Sequence, residues 1–222
     1  MRDRSFARGV AQEHFDRSRP ADWFDILYRE ADGNEKLLPW VDDNPNPNLV
    51  SWLDREQFSV AGKRVLVVGC GLGQDAEELA RRGGKVVAFD ISPTAIEWAR
   101  KRHPSSTVDY RCADLFSPPA DFHRAFDFVL EAYTAQALPP EVRERAAHAV
   151  ASFVGSRGQL LVVCRARDEA EDPGTMPWPL TERELHYFER GDLSLIALED
   201  YVESEQGEMT RRFRALFGPN GG

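Results

Sequence analysis

Arg64-Val-Leu-Val-Val-Gly69-Cys-Gly71-Leu-Gly73-Gln-Asp75 is the stretch whose reading decides the fold. Four consecutive apolar residues, Val65 to Val68, suit a strand buried on both faces of a parallel sheet. The glycines that follow let the backbone turn sharply and leave no side chain between the loop and a ligand. Asp75-Ala-Glu-Glu-Leu-Ala-Arg-Arg82 then has helical composition, with acids in its first turn where they suit the helix dipole. A second apolar run, Lys85-Val-Val-Ala-Phe-Asp90, ends in a carboxylate about 20 residues past the glycines, the spacing at which nucleotide folds bind a ribose hydroxyl pair. Strand, glycine loop, helix, strand and acid predict a ribose-binding βαβ unit.

The loop itself separates one ribose compound from another. A dinucleotide fingerprint reads G-x-G-x-x-G, whereas here the third glycine comes one place early and position 74 is Gln. Asp75, Glu77 and Glu78 crowd the helix N-terminus, where a pyrophosphate needs open amides and positive potential. S-adenosylmethionine (SAM) carries a sulfonium and an ammonium and no phosphate, so an acidic loop suits it. A nicotinamide-dependent oxidoreductase shares the strand–glycine–acid pattern and remains a rival reading. A SAM-binding protein without catalysis is another.

Outward from this unit, strands are expected near 64–68, 85–90, 107–112, 126–132 and 158–165, with helices near 74–82, 92–103 and 139–154. Ser92-Pro93 is an N-cap followed by proline at the first helical position. Thr181-Glu-Arg-Glu184 has the form of a capping box. Two extended stretches, 193–204 and 209–217, joined through Gln206-Gly207, read as a terminal hairpin. The expected architecture is α/β, a doubly wound, mostly parallel seven-stranded sheet closed by a C-terminal antiparallel hairpin. Residues 1–20 are polar and read as mobile at their start. Residues 23–52 mix aromatics, acids and prolines and read as irregular structure with a short helix near 48–54. The organisation is therefore an N-terminal cover over 1–55, a SAM-binding domain over 56–217 and a frayed tail over 218–222.

At these residues the chain resembles the class I SAM-dependent methyltransferases, from about residue 23 to about residue 217. Val68-Gly-Cys-Gly-Leu-Gly73 looks like their first motif, whose loop runs beneath the methionine part of the cofactor. Asp90 stands where their ribose-binding acid stands, with Ile91 beside it. Cys112-Ala-Asp114-Leu-Phe116 looks like the segment whose Asp meets the adenine amino group. The resemblance implies a cofactor set of Gly69, Cys70, Gly71, Gly73, Asp90, Ile91, Asp114, Leu115 and Glu131, with no metal. Trp40, the segment Asn46-Pro-Asn-Leu-Val-Ser-Trp-Leu53 and Gly174-Thr-Met-Pro-Trp-Pro-Leu-Thr181 look like the thiopurine, thiol and halide branch. Members of that branch methylate soft nucleophiles such as sulfur. A thiol near pKa 8.5 supplies about a few per cent thiolate at neutral pH, so it needs little help from a base. Methylation of a small metabolite on oxygen or nitrogen is the alternative.

Trp40, Trp23, Tyr133 and Arg165 are the acceptor-pocket candidates, although tryptophans of the cover have a second reading as packing. Tyr133 follows the apolar run Phe126 to Leu130, where a catalytic motif would sit, and His14 is the histidine to test as a base. A net charge of −9 argues against a nucleic-acid groove or an anionic membrane surface, leaving a small-molecule acceptor as the partner and a monomer or homodimer as the assembly. No apolar run approaches the length of a membrane span. Cys70, Cys112 and Cys164 are odd in number and fall in or beside expected buried strands, so reduced core thiols and a cytoplasmic location are expected.

Overall fold

The computed structural model describes residues 5–14, 20–41, 43–205 and 207–219. Seven strands form one sheet: β1 (Arg64–Val68), β2 (Lys85–Asp90), β3 (Asp109–Cys112), β4 (Phe126–Ala132), β5 (Val154–Arg165), β6 (Leu193–Glu205) and β7 (Glu208–Pro219). Their order is β3-β2-β1-β4-β5-β7-β6. The first five strands run parallel, and β7 inserts antiparallel between β5 and β6. The strand order reverses between β1 and β4, and in such sheets the crevice beyond the carboxyl ends at that point is where ligands bind.

Among the described residues seven α-helices accompany the sheet: α1 (Ser5–His14), α2 (Trp23–Ala31), α3 (Pro47–Arg55), α4 (Gln74–Arg81), α5 (Pro93–Arg102), α6 (Pro140–Ala151) and α7 (Glu182–Leu185). Side chains of a strand alternate between faces, so β1 sends Val65 and Val67 to one layer and Leu66 and Val68 to the other. The first layer holds α3, α4 and α5 through Leu49, Trp52, Leu53, Leu79, Ile96 and Ala99. The second holds α6 and the 182–188 helical segment through Ala146, Ala147, Val150, Leu185 and Phe188. The capping box forms, Thr181 and Glu184 each accepting from the other's backbone amide. Ser92 caps α5, accepting from the Ala95 amide at 2.9 Å.

Four local expectations change. Two helices, α1 and α2, stand where polar or irregular chain was expected. Ala7, Val10, Trp23, Leu27, Tyr28 and Ala31 recur at helical spacing and bury against Leu72 of the glycine loop and Ala95 of α5. The part of that expectation at residues 1–4 and 15–19 lies outside the described residues. α3, counted with the cover, packs as one of the sheet's own helices, Trp52 stacked on Phe128 at 6.0 Å. β5 begins four residues early, because Gly155 and Gly158 allow its start to approach the Phe126 carbonyl where a side chain would collide. β7 carries the hairpin through Gly218 and Pro219, and the rest of the expected tail, 220–222, lies outside the described residues.

Of the three cysteines only Cys164 is a core thiol. Cys70 is half-buried and Cys112 is exposed, because β3 is an edge strand whose carboxyl end no helix covers. Among the described residues no helix is long and apolar enough to cross a membrane.

Gly73 is the position where the fold most needs glycine. Its φ is +91°, and a Cβ there would overlap the Tyr110 ring. Gly73→Ala should lower the melting temperature of the ligand-free protein by about 5 °C or more, from left-handed strain plus that overlap. A scan that shows no loss would mean that Tyr110 moves aside freely.

Candidate functional site

A cavity of about 690 Å³ lies over the carboxyl ends of β1, β2, β4 and β5 and under α1, α2, residues 39–41 and residues 44–48. Gly69, Cys70 and Gly71 form its floor. Gly69 and Gly71 have φ of +61° and +52°; a Cβ at Gly69 would overlap Thr134, and one at Gly71 would lie 3.2 Å from the Tyr28 hydroxyl. The loop therefore has no room for side chains on either side, and its backbone is what a ligand meets.

Asp90 ends β2 in a buried position beside this loop. Its Oδ2 accepts from the Gly71 amide and its Oδ1 from the Ser92 amide, each at 2.9 Å. Burial raises its pKa, while those amides, with that of Ile91, pull it down. Each oxygen keeps a second lone pair, and Asp90 lines the cavity, so a diol can be held there. Ile91, Ala113, Leu115 and Phe116 continue the wall as an apolar slot. Floor, acid and slot fit a nucleoside attached to a short zwitterionic chain. Among the described residues no group of three or more His, Cys, Asp or Glu is arranged to hold a metal ion.

Three members of the expected cofactor set do not line the cavity. Gly73 serves Tyr110 instead. Asp114 spends Oδ1 on the Phe116 amide at 2.8 Å, closing its own turn, so that Leu115 and Phe116 present themselves in its place. Glu131 is buried beneath the loop after β4, with Oε1 accepting from the Ala135 amide at 2.8 Å and Oε2 lacking a partner. Burial pushes its pKa up to about 7.

On the acceptor side, Trp23, Trp40, Tyr133 and Arg165 all line the cavity. Trp23 stacks on Phe24 with ring centroids 3.9 Å apart. Trp40 donates Nε1–H to the Tyr28 hydroxyl at 2.9 Å and packs edge-on against Phe24 and Tyr28. Tyr133 has a φ of +66°, and Arg212 lies 5.2 Å above its ring. His14 does not join them. It closes α1 on the exposed side, 3.9 Å from Glu30, and has no route to a proton in the cavity. Tyr133 is held well above the ordinary tyrosine range by burial, which suits a donor and not a base.

Sequence reasoning passes over several residues that complete the site. Asp25 of α2 accepts from the Ser92 hydroxyl at 2.7 Å and the Thr94 amide at 3.2 Å, fastening the cover beside Asp90. Asp75 accepts from the Asn46 amide at 2.6 Å, fastening it beside the glycine loop, and burial pushes the Asp75 pKa up to about 6. Arg212 and Glu203 come from the hairpin and pair with each other. The only local signal for any of these was Asn46-Pro47 as a helix start; the rest depend on tertiary contacts.

The model of the thiopurine S-methyltransferase family matches residues 32–216, from the cover to the last strand. The chain belongs to that family. That family is one of class I SAM-dependent methyltransferases, and the mostly parallel sheet with its antiparallel hairpin is the fold expected of a member. Over 86 residues it is 40% identical to a ubiquinone biosynthesis O-methyltransferase of Chromobacterium violaceum, a match covering 38% of this chain and 37% of that one. Over 126 residues it is 31% identical to a magnesium-protoporphyrin O-methyltransferase of Rhodobacter capsulatus, covering 55% and 54%. The chain thus spans between about a third and about half the length of these curated relatives. The structure of magnesium protoporphyrin IX methyltransferase from Synechocystis, solved with S-adenosylhomocysteine bound, superposes with a TM-score of 0.65 at 17% identity over 90% of this chain and 99% of that one.

Glu131 gives this family member a measurable pH dependence. The folded carboxyl keeps its proton to about pH 7, against an ordinary value of 4.5. The folded state therefore holds the extra proton between those values, and stability falls as pH rises through that window, by up to about 3 kcal/mol. Glu131→Gln keeps an oxygen for the Ala135 amide and removes the charge. Its gain in melting temperature over wild type should be larger at pH 8 than at pH 5 by about 5 °C or more. An equal difference at both pH values would place the titration elsewhere.

Proposed function

We propose that this methyltransferase acts on the sulfur of a small, flat acceptor that enters as its thiolate. The observation that carries this reading is the make-up of the acceptor half of the cavity. Its walls are aromatic and apolar, from Phe24, Trp40, Leu138 and Met176. Its polar side carries two arginines, Arg165 and Arg212, directly opposite each other in the β5–β7 register. Among the described residues no histidine lines the cavity. Of its acids, Asp75 and Asp90 are engaged by backbone amides and Glu203 by Arg212. Among the described residues the acids of the cavity are thus engaged, which favours an acceptor that ionises by its own acidity, and a thiol does so far more readily than an alcohol or amine.

Bound SAM supplies a methyl group activated by its sulfonium. The chain's own contribution is to bind and orient. Asp90 would hold the ribose hydroxyls, the 69–71 backbone would carry the methionine part, and Ile91, Leu115 and Phe116 would flank the adenine. The cover shuts water out above them. Attack of an anion on a sulfonium removes charge, so an apolar, water-poor cavity favours the step, and alignment of the reacting atoms contributes several kcal/mol more. Oxygen is the second reading, favoured by the names of the curated relatives; a phenol acidic enough to ionise unaided would meet the same walls.

A panel of thiophenol, phenol, aniline and iodide with methyl-labelled SAM tests the acceptor. Thiols are expected to exceed phenols in kcat/KM by about tenfold or more at neutral pH, following their greater ionised fraction; preference for the phenol would transfer the assignment to oxygen. Asp90→Ala should weaken SAM binding by well over about tenfold in calorimetry, through loss of charge-assisted bonds to the ribose. Unchanged affinity would put the ribose elsewhere. Trp40→Ala is expected to keep most SAM affinity yet lose about tenfold or more in transfer, since it opens the cover above the acceptor. Equal loss of both would make Trp40 part of the cofactor site instead.

A further inference from the structure

Asn48 and Tyr133 form an arrangement that neither the sheet nor cofactor binding requires. Asn48 is buried in the first turn of α3. Its Oδ1 accepts from the Tyr201 hydroxyl at 2.5 Å, and its Nδ2 donates to Glu203 Oε1 at 2.9 Å and to the Tyr133 hydroxyl at 3.3 Å. Glu203 is ion-paired with Arg212 and, as a carboxylate, can only accept. The amide therefore has one orientation, carbonyl toward Tyr201 and both N–H bonds toward Glu203 and Tyr133. The Tyr133 oxygen is thus an acceptor on the protein side, and its proton has to point away from this donor. Among the described residues no acceptor takes that proton.

The backbone adds a second, independent observation. Tyr133 sits at φ +66°, a region that aromatic residues rarely occupy and that costs of order 1–3 kcal/mol unless its surroundings impose it. The surroundings do: its amide donates to the Val163 carbonyl at 3.0 Å, and the Arg212 guanidinium lies over the ring. A strained tyrosine, held from three directions at the mouth of β4, presents an unspent O–H to the acceptor half of the cavity.

We propose that Tyr133 is a fixed hydrogen-bond donor to the nucleophilic atom of the acceptor, and that Asn48 is the positioning residue that turns its proton into the cavity. The identity of that atom as sulfur rests on the function proposed above; the donor role does not. In the reaction the acceptor thiol gives its proton to solvent. The new carbon–sulfur bond forms with the acceptor's electron pair as the methyl–sulfonium bond breaks, and that bond's pair leaves with S-adenosylhomocysteine. Tyr133 keeps its proton throughout. Its hydrogen bond raises the fraction of acceptor that is ionised and aims a lone pair at the methyl group, but it is weaker in the transition state, where the negative charge is being lost. The bond therefore helps below the acceptor's pKa and slightly hinders above it. A residue that only supports the loop would act equally at every pH.

The charged groups facing this corner are Arg165 on β5, Arg212 on β7, Glu203 on β6 and Asp75 on α4, with the Tyr201 hydroxyl on β6. All stay in place in the variants to be compared, Tyr133→Phe and Asn48→Asp in the full-length protein. Asn48→Asp keeps the side chain's shape but leaves only acceptors, so Tyr133 donates back to it and turns its proton out of the cavity. Because a carboxylate there also faces Glu203, Asn48→Leu serves as the uncharged counterpart. Three quantities are measured: SAM affinity by calorimetry, the kcat–pH profile with thiophenol, and the pKa of 4-nitrophenol bound to the S-adenosylhomocysteine complex, read by absorbance.

Tyr133→Phe should leave SAM affinity within about twofold, raise the acidic limb of the kcat profile and the bound 4-nitrophenol pKa by about one pH unit, cut transfer by up to about tenfold at pH values below that limb, and leave it unchanged or faster at pH 9. Asn48→Asp and Asn48→Leu should shift both quantities in the same direction. Adding either to Tyr133→Phe should cause no further shift, because both act through one hydroxyl. A loss that is uniform across pH, an unmoved nitrophenol pKa, or a large fall in SAM affinity with Tyr133→Phe would overturn the proposal. Should the wild type methylate phenols and not thiophenol, the sulfur reading fails, and the nitrophenol titration still decides the role of Tyr133.

Discussion

The site depends on one buried carboxylate. Asp90 lies at the end of a strand, nearly out of contact with water, and is tolerable there only because backbone amides from two different loops donate to it. The need to satisfy those oxygens sets the height of the glycine loop against the turn that follows β2. The same turn carries Ser92, which caps α5 with one lone pair and donates its proton to Asp25 on the cover. A chain of hydrogen bonds thus runs from loop to strand end to helix start to cover. Each member is fixed by the one before it.

The cover is a working part of the cavity, and its attachment shows this. It is fastened on one edge by Asp25, on another by Asn46 to Asp75, and at the rear by Asn48 to the hairpin. Between these points hang aromatic rings with few rotatable bonds: Trp23 on Phe24, Trp40 against Tyr28, and Tyr28 against Trp98 of α5. Polar anchors at the margin with a stiff apolar centre make a roof that excludes water and keeps a defined height above the floor. Tyr28 stands close above the loop, its hydroxyl 3.2 Å from where a Cβ at Gly71 would lie.

What could be read from the chain was what is local. The glycine loop, Asp90, the Ser92-Pro93 start and the Thr181 capping box each depend on residues a few positions apart, and each is present in the structure. The carboxyl ends of the strands could be located for the same reason, which is why Trp23, Trp40, Tyr133 and Arg165 reach one cavity. The roles of Asp114 and Glu131 were not legible, because an acid at a strand end can face a ligand or bond to its own turn, and composition does not distinguish the two. Helices α1 and α2 were hidden by charges on their outer faces. Arg212, Glu203 and Asn48 were out of reach altogether, since no pattern within a window announces partners 155 positions apart.

Helix α3 has a further consequence, in the order of events during synthesis. Arg214 donates to the carbonyl of Asn48, 166 positions earlier, and also grips Glu199, which holds Arg55 at the end of the same helix. Contacts of such separation form late, after the chain between them has been made and paired. The nascent protein therefore builds its glycine loop and Asp90 early, yet has no rear wall to its cavity until β7 has left the ribosome. An intermediate with five parallel strands would expose a floor able to meet the cofactor without a roof able to keep water out. Arrival of β7 is, on this reasoning, the step that closes the cavity at the rear.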